Sequence, residues 1–452
     1  MGQQRWTRAA LVAASVLLTL SGGPDPACAA PRGASGATAA LITNVQVSHD
    51  RFPDHAEPAL AINPRDPRNL LGAAMYFAQS PTPGTFASFD GGRTWRDNGA
   101  LPLPAGASGG ADVSVAVTAA GVGFVAAGSV TPDPSGRGVS VWRTDDGGRS
   151  FQRPVAVASH QFVDHPWLAS DPTPGPAGGA LYVAWVTRHA VGQGLREGVA
   201  FSRSGDGGRS FTRPRLISAP PGGVTAPVVA AGPGGAVYVA YVTAISGPAP
   251  TLVVELVASR DHGRGFGPPV VLGPAVFGLT PQPNLTLPSG PMVATDPHDG
   301  TVYVAYAAMR PGGVGRTAAA IVLARSADSG RTWTTAALVT VPSPRDQEAV
   351  FQPQVAVNAA GTVALSYLSL ARGRVAVMLA QSVTHGARFT PAQRITTRSF
   401  DPALGLPGDK EGLWWIGDYQ GLAAGPRSLY PCWGDTRTGH LHIFSAAVPA
   451  AT

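Results

Sequence analysis

The chain of 452 residues carries a formal net charge of +6, with 33 basic and 27 acidic side chains. It contains no run of five basic residues, which argues against a nucleic-acid-binding surface. Its 57 glycines and 43 prolines make it rich in turns, as an all-β fold of many short strands requires.

The N-terminus has the pattern of a secretory signal peptide over residues 1–30. Arg5 and Arg8 precede an apolar run at residues 9–20, and small residues suited to cleavage follow at 27–30. The apolar run is too short to span a bilayer, and no later segment is long and apolar enough to insert. We therefore expect a secreted, extracellular protein without membrane insertion, with a flexible segment at 31–40 and one folded domain over 41–450.

Six octapeptides follow the pattern Ser/Thr-x-Asp-x-Gly-x-Thr/Ser-Trp/Phe, in full or decayed form, at intervals of roughly 55–67 residues. They begin at Ser88, Thr144, Ser204, Ser259, Ser326 and Ser382, and the last has Thr384 in place of the aspartate. In such a turn the carboxylate accepts from backbone N–H groups two residues on, glycine takes a positive φ, and the aromatic residue anchors a hairpin. The period predicts a β-propeller with long loops.

A second repeat, x-Pro-x-x-Ala followed by a turn and another strand, occurs seven times in exact or varied form. Its copies open at Glu57, Asp112, His165, Ala226, Gly290, Gln352 and Asp418. The segment at 41–48 can pair as the missing outer strand of the last unit and so remove a free sheet edge. We predict an all-β, seven-bladed β-propeller whose ring is closed by the N-terminal strand, with a six-bladed propeller as the alternative.

The aligned opening positions should form a ring at the mouth of the central channel, on the face opposite the octapeptides. Its titratable members are Glu57, Asp112, His165 and Asp418. Titratable side chains that lie this close together shift one another's pKa values, as acid/base catalysis requires. The alternative is that they cap strand ends and bind channel water.

Two further groups of residues are predicted at the same face. Arg188, Arg310, Arg372 and Arg437 each follow the aromatic end of a second strand, and converging arginines suit a carboxylate-bearing ligand. Trp414 and Trp415, on the long loop before the seventh unit, can offer a flat face to sugar rings, although neighbours on an extended chain point oppositely, so one should pack inward.

Two Asp-His pairs, Asp54/His55 and Asp164/His165, occupy matching places on the first and third units. Such pairs can ligate a metal, but capping of the loops is the favoured interpretation. Cys432 is the only cysteine beyond the signal region, so no intrachain disulfide is expected. We expect no cofactor and a monomer; a structural calcium ion cannot be derived from these residues.

The octapeptides resemble the Asp-box (BNR) repeats of the sialidase-like propeller superfamily, and phrases such as DHPWLASD resemble secreted bacterial exo-α-sialidase-like proteins. The resemblance covers nearly the whole mature chain for the fold, but only the octapeptides specifically. Sialidases use three arginines, a tyrosine nucleophile assisted by a glutamate, and an aspartate acid/base. Here Glu57 stands where the first of those arginines belongs, in an Arg-Ile-Pro motif, and no other catalytic residue can be placed by motif.

These observations predict a secreted propeller that engages glycans or other anionic ligands at its channel mouth, with exo-acting glycoside hydrolysis left open. The catalytic candidates are Glu57, Asp112, Asp418 and Tyr419, the last as a nucleophile in the sialidase manner. The ligand-binding candidates are His165, Arg188, Arg310, Gln352, Arg372, Trp414, Trp415 and Arg437. The alternatives are a non-catalytic carbohydrate-binding propeller and a scaffold for other proteins.

Overall fold

The computed structural model describes residues 42–133, 136–173, 179–245, 251–282, 284–309, 319–340, 348–407 and 413–452. Within these residues the fold is all-β, as predicted, with two short 3-10 helices at Pro233–Gly235 and Pro402–Leu404. None of the helices in this part of the chain has the length and apolar character needed to cross a membrane.

The first strand, β1 (Val45–Gln46), is followed by four consecutive antiparallel sheets of four strands each. Sheet 1 consists of β2 (Asp54–Ile62), β3 (Leu70–Phe77), β4 (Pro81–Ser88) and β5 (Arg96–Ala100). Sheet 2 consists of β6 (Gly109–Val117), β7 (Gly123–Val130), β8 (Gly138–Thr144) and β9 (Val155–Ser159). Sheet 3 consists of β10 (Asp164–Ser170), β11 (Leu181–Val191), β12 (Gly194–Ser204) and β13 (Arg215–Ser218). Sheet 4 consists of β14 (Val224–Ala231), β15 (Val237–Ile245), β16 (Thr251–Ser259) and β17 (Val270–Pro274).

Three more sheets of the same kind follow, together with an accessory sheet. The accessory sheet consists of β18 (Gly278–Gln282), β19 (Leu285–Pro288), β28 (Leu406–Pro407) and β29 (Trp414–Trp415). Sheet 5 consists of β20 (Met292–Thr295), β21 (Val302–Met309), β22 (Ala319–Ser326) and β23 (Thr334–Thr340). Sheet 6 consists of β24 (Ala349–Val357), β25 (Val363–Ala371), β26 (Arg374–Ser382) and β27 (Gln393–Arg394). Sheet 7 consists of β30 (Gly421–Ala424), β31 (Ser428–Asp435), β32 (His442–Ser445) and β1, and β33 (Val448–Pro449) also pairs with β31.

The first strands of sheets 1 to 7 contact one another in a closed cycle, since β2 neighbours both β6 and β30. The two ends of the chain meet in sheet 7, where Val45 pairs with Ser445 and Gln46 pairs with Phe444. This pairing confirms that the N-terminal segment supplies the outer strand of the last sheet. The arrangement is a β-propeller, with each of the seven repeat units forming one sheet.

The octapeptides form the turns between third and fourth strands, as the turn from β4 to β5 shows. Ser88 Oγ donates to Asp90 Oδ1 at 2.9 Å and accepts from Gly92 N–H at 2.9 Å. Asp90 Oδ1 accepts from the N–H groups of Arg93 and Thr94 at 3.0 Å each. The acceptance is therefore from N–H groups three and four residues on, not two as expected. The same bonds recur at Asp146, Asp206 and Asp328.

These turns also join neighbouring sheets. Arg143, on sheet 2, donates to the Gly207 carbonyl in the turn of sheet 3 at 2.9 Å. Arg260, in the turn of sheet 4, donates to the Ser329 carbonyl in the turn of sheet 5 at 2.8 Å. The turns thus stabilise the packing of adjacent sheets as well as their own hairpins. Cys432, on β31, is a free, buried thiol.

Candidate functional site

The predicted ring positions share an unusual backbone conformation. Five of them have positive φ values although they are not glycine: Glu57 (56°), Asp112 (55°), His165 (54°), Ala226 (49°) and Gln352 (47°). At each one the pairing between the first and second strands shifts register, which marks a β-bulge. A bulge re-aims the side chain of the extra residue. The repeated conformation confirms that these positions correspond from sheet to sheet.

Hydrogen bonds between neighbouring sheets link two pairs of these positions. Asp418 N–H donates to Glu57 Oε1 at 3.0 Å, which links sheets 7 and 1. His165 N–H donates to Asp112 Oδ2 at 3.1 Å, which links sheets 2 and 3.

The apolar side of the ring is closed by packing. A Cβ atom placed on Gly290 would lie 2.8 Å from Cβ of Ala226, so sheets 4 and 5 approach too closely there for a side chain. The ring therefore has a polar arc, formed by Asp418, Glu57, Asp112 and His165, and an apolar arc opposite it.

The polar arc surrounds Tyr419. The Tyr419 hydroxyl donates to the Val113 carbonyl at 2.8 Å, and its ring lies edge-on to His165, with 5.2 Å between centroids. Burial raises the pKa of Tyr419 well above its usual value, and the charges of Glu57, Asp112 and Asp418 raise it further. The phenol thus donates to the backbone in this conformation and also interacts with Glu57, and the nucleophilic role predicted from sequence stays a prediction.

The arc is buried. Glu57 is 1% exposed, Asp418 2%, His165 3% and Asp112 9%. His165 Nε2 has no hydrogen-bond partner among the described residues, which leaves one buried polar atom of the arc available to a ligand or water. The His165 ring also stacks on Trp167, whose contribution the sequence analysis missed; its position two residues after the ring residue was the available signal.

Gln352 has a structural role. Its Nε2 donates to the carbonyls of Pro288 and Gly417 at 3.0 and 2.6 Å, and its Oε1 accepts from Gln420 at 2.7 Å. These bonds connect the accessory sheet to the ring beside sheets 6 and 7. Both polar ends of the Gln352 side chain thus bind the protein in this conformation, and its contact with a ligand stays a prediction.

The two tryptophans point in different directions, as predicted. Trp415 packs edge-on against Phe77 with 6.1 Å between centroids, and its Nε1–H donates to Asp418 Oδ1 at 2.7 Å. Trp414 is 37% exposed. An exposed indole thus lies one residue away from a tryptophan that binds a carboxylate of the polar arc.

The predicted cluster of arginines is divided among local contacts. Arg188 donates to Glu197 at 3.2 Å and lies 3.9 Å from the centre of the Phe162 ring, while Arg372 is exposed in the turn between β25 and β26. Arg310 lies outside the described residues.

Arg437 is only 11% exposed, and it donates to Asp435 Oδ2 at 2.6 Å and to Asn44 Oδ1 at 3.0 Å. Asn44 precedes β1, so these bonds stabilise the closure of the ring. Arg437 thus binds Asp435 and Asn44 in this conformation, and its role in ligand binding stays a prediction.

The first predicted Asp-His pair does not form. Asp54 accepts from Leu441 N–H at 2.9 Å, whereas His55 Nε2 lies 3.1 Å from Asp50 Oδ1. The two side chains therefore contact different partners, which agrees with the capping interpretation. At the second pair, His165 contacts Asp112 through its backbone, as described above.

Neither of two cavities in the described part of the chain is lined by a residue of the polar arc. One of about 430 Å³ lies between sheets 2 and 3 and is lined by Ser159, Gln161 and Arg213, among others. The other, beside Gln352 and Gln420, holds about 10 Å³, which is too small for a sugar ring.

No protein-family model and no curated protein matches the sequence. Among solved structures, a Hadza microbial sialidase has a TM-score of 0.49 and 14% identity, covering 84% of this chain and 76% of that one. An α-L-arabinanase from Penicillium chrysogenum, complexed with arabinobiose, has a TM-score of 0.49 and 15% identity, covering 76% and 98%. A leech intramolecular trans-sialidase has a TM-score of 0.48 and 13% identity, covering 80% and 70%. At these identities the similarity concerns the fold alone.

Proposed function

We propose that this protein is secreted and binds a neutral glycan at the outer edge of its polar arc. The observation that carries the proposal is the exposed indole of Trp414 beside a group of carboxylates held by Trp415 and by the ring backbone. Sugar sites combine a flat apolar face with a few placed polar groups, because a sugar ring offers both C–H faces and hydroxyls.

The negative charge of the polar arc favours neutral sugars over sugars that carry a carboxylate. Glu57, Asp112 and Asp418 lie around Tyr419, while Arg188 and Arg437 bind carboxylates of their own. A sugar carboxylate at the arc would therefore meet like charges, while both of these guanidiniums already hold a carboxylate of the protein. The sequence predicted a glycan or another anionic ligand. Because of this charge, we propose that the ligand is a neutral glycan.

Glycoside hydrolysis is the second candidate. Carboxyl groups gathered at low exposure can divide into an acid and a base, and Glu57 and Asp418 are joined through one hydrogen bond. Binding without chemistry is our first candidate, because ring residues are hydrogen-bonded to one another in this conformation.

The proposal is tested by titrating the purified chain with a panel of neutral oligosaccharides and sialosides, using calorimetry. We expect saturable binding of a neutral sugar, and Trp414→Ala should weaken it at least about ten-fold by removing the stacking face. Leu216→Ala is the control, since Leu216 is exposed to a similar degree, 42%, on an outer strand. Binding that is confined to sialosides, or that Trp414→Ala leaves unchanged, would contradict the proposal.

The same titrations distinguish the two candidates when the products are analysed. Release of a sugar by the wild-type chain, lost in Glu57→Gln with folding intact, would establish hydrolysis. Secretion is tested separately by comparing the culture medium of cells expressing the full chain with that of cells expressing a chain without residues 1–30.

A further inference from the structure

A second group of polar side chains lies on the opposite face, where sheet 5 meets the turn of sheet 6. Asp296 and Asp299 come from the turn after β20, and His385 comes from the octapeptide that lacks its aspartate. His385 Nδ1 lies 3.8 Å from Asp296 Oδ2 and 3.8 Å from Asp299 Oδ2. The three donor atoms all lie within 4.8 Å of one another.

The two carboxylates are held in place by the backbone. Asp296 Oδ1 accepts from His298 N–H at 2.8 Å, and Asp299 Oδ1 accepts from Thr301 N–H at 2.8 Å. In each carboxylate the other oxygen, Oδ2, is therefore directed towards His385. A separation of 3.8 Å is too long for a hydrogen bond, but it suits two ligands that bind one ion at about 2.0–2.2 Å each.

A matching site in the same chain shows what these residue types do without a third ligand. Asp171, at the equivalent place on sheet 3, lies 3.5 Å from His262 in the octapeptide of sheet 4. Tyr182 donates to the same oxygen, Asp171 Oδ2, at 3.2 Å. That oxygen is thus shared by a hydroxyl and an imidazole, and an ordinary ion pair accounts for the contact.

The equivalent tyrosine on sheet 5, Tyr303, makes no corresponding hydrogen bond to an aspartate. The Tyr303 side chain is fully buried, and no hydrogen bond joins its hydroxyl to Asp296 or Asp299. Arg325, on β22, interacts with this phenol instead. The Asp296 carboxylate is therefore not shared with a tyrosine hydroxyl as that of Asp171 is, and its Oδ2 faces His385 and Asp299.

We propose that Asp296, Asp299 and His385 bind a divalent transition-metal ion that links sheets 5 and 6. One imidazole and two carboxylates suit Zn²⁺ better than Ca²⁺, which prefers oxygen ligands alone. His385 is 54% and Asp299 47% exposed on their side chains, so an ion can enter from solvent. Together with Arg325, the two carboxylates leave one net negative charge to attract it.

The test is calorimetric titration of ZnCl₂ into the purified chain without an affinity tag. We expect one saturable site and a rise in melting temperature that EDTA reverses. His385→Gln and Asp299→Asn should each weaken binding at least about ten-fold. His262→Gln is the matched control, since it changes the same position of the octapeptide of sheet 4, and it should leave the affinity unchanged.

Two results would overturn the proposal. One is the lack of a saturable Zn²⁺ site in the wild-type chain. The other is an equal loss of affinity in His262→Gln and His385→Gln, which would indicate non-specific binding by histidines. Circular dichroism of each variant shows whether a loss of binding comes from unfolding, and Co²⁺ absorption spectra of the folded variants then report ligation directly.

Discussion

Arg437→Ala distinguishes a ligand-binding role for this arginine from a role in closing the ring. Asp435 is fully buried and accepts from Trp433 Nε1 at 2.9 Å and from Arg437 at 2.6 Å. Removing the guanidinium leaves a buried carboxylate without its cation, and it also breaks the bond to Asn44. We expect the variant to be destabilised strongly.

The magnitude follows from the burial of the pair. Breaking a buried ion pair from one side costs about 3–5 kcal/mol, because the remaining charge stays desolvated. In the double variant Arg437→Ala/Asp435→Asn that charge is gone, and the amide can still accept from Trp433. The double variant should therefore recover a substantial part of the loss, about 1–3 kcal/mol.

The assay is urea unfolding followed by tryptophan fluorescence, with the glycan titration described above run on the same samples at low urea. We expect a lower unfolding midpoint in Arg437→Ala, partial recovery in the double variant, and unchanged sugar affinity in whatever fraction stays folded. A variant as stable as the wild type that no longer binds sugar would refute this reasoning and restore Arg437 to the ligand site.

Three further predictions follow from single contacts. Gly72→Ala should cost about 1–3 kcal/mol in thermal unfolding, because its Cβ would lie 2.0 Å from the Phe86 ring, whereas Gly205→Ala, which meets nothing within 4 Å, should be neutral. Burial alone would raise the pKa of Asp146, but hydrogen bonds in its turn lower it to about 2 from 3.8. Because this pKa is lower in the folded than in the unfolded state, the ionised Asp146 stabilises the fold above pH 3.8, and the stabilisation is lost as the pH falls towards 2. The free energy of unfolding measured across this pH range should therefore contain about 1 kcal/mol, after solvent screening, that Asp146→Asn lacks. Burial raises the pKa of Cys432, so a thiol reagent should label it only on unfolding, and fast labelling of the folded chain would contradict this.

The fold was predictable because its signals are local and repeated. The octapeptides predicted the hairpin turns, and the aligned positions from Glu57 to Asp418 predicted the ring. The structure joins two pairs of adjacent ring positions by hydrogen bonds. The pairing of Val45 with Ser445 was predictable as well, since an unpaired outer strand at one end of the chain matched a spare segment at the other.

The chemistry of the site was less predictable because it depends on side-chain direction. Glu57 and His165 occupy left-handed bulges, a conformation that sequence reasoning assigns to glycine, so their inward orientation had no sequence signal. Arg437 follows an aromatic strand end like Arg188, yet it binds Asn44, almost four hundred residues earlier in the chain. No spacing rule reveals a partner at that distance.

The pairing of β1 with β32 delays the folding of β1 during synthesis. β1 is among the first strands to be made, but it can pair only after Phe444 and Ser445 of β32 have been made. A variant that ends before His442 should therefore leave β1 without its partner and one edge of β31 unpaired, which favours aggregation. Removal of residues 1–11 would leave the pairing of β1 intact.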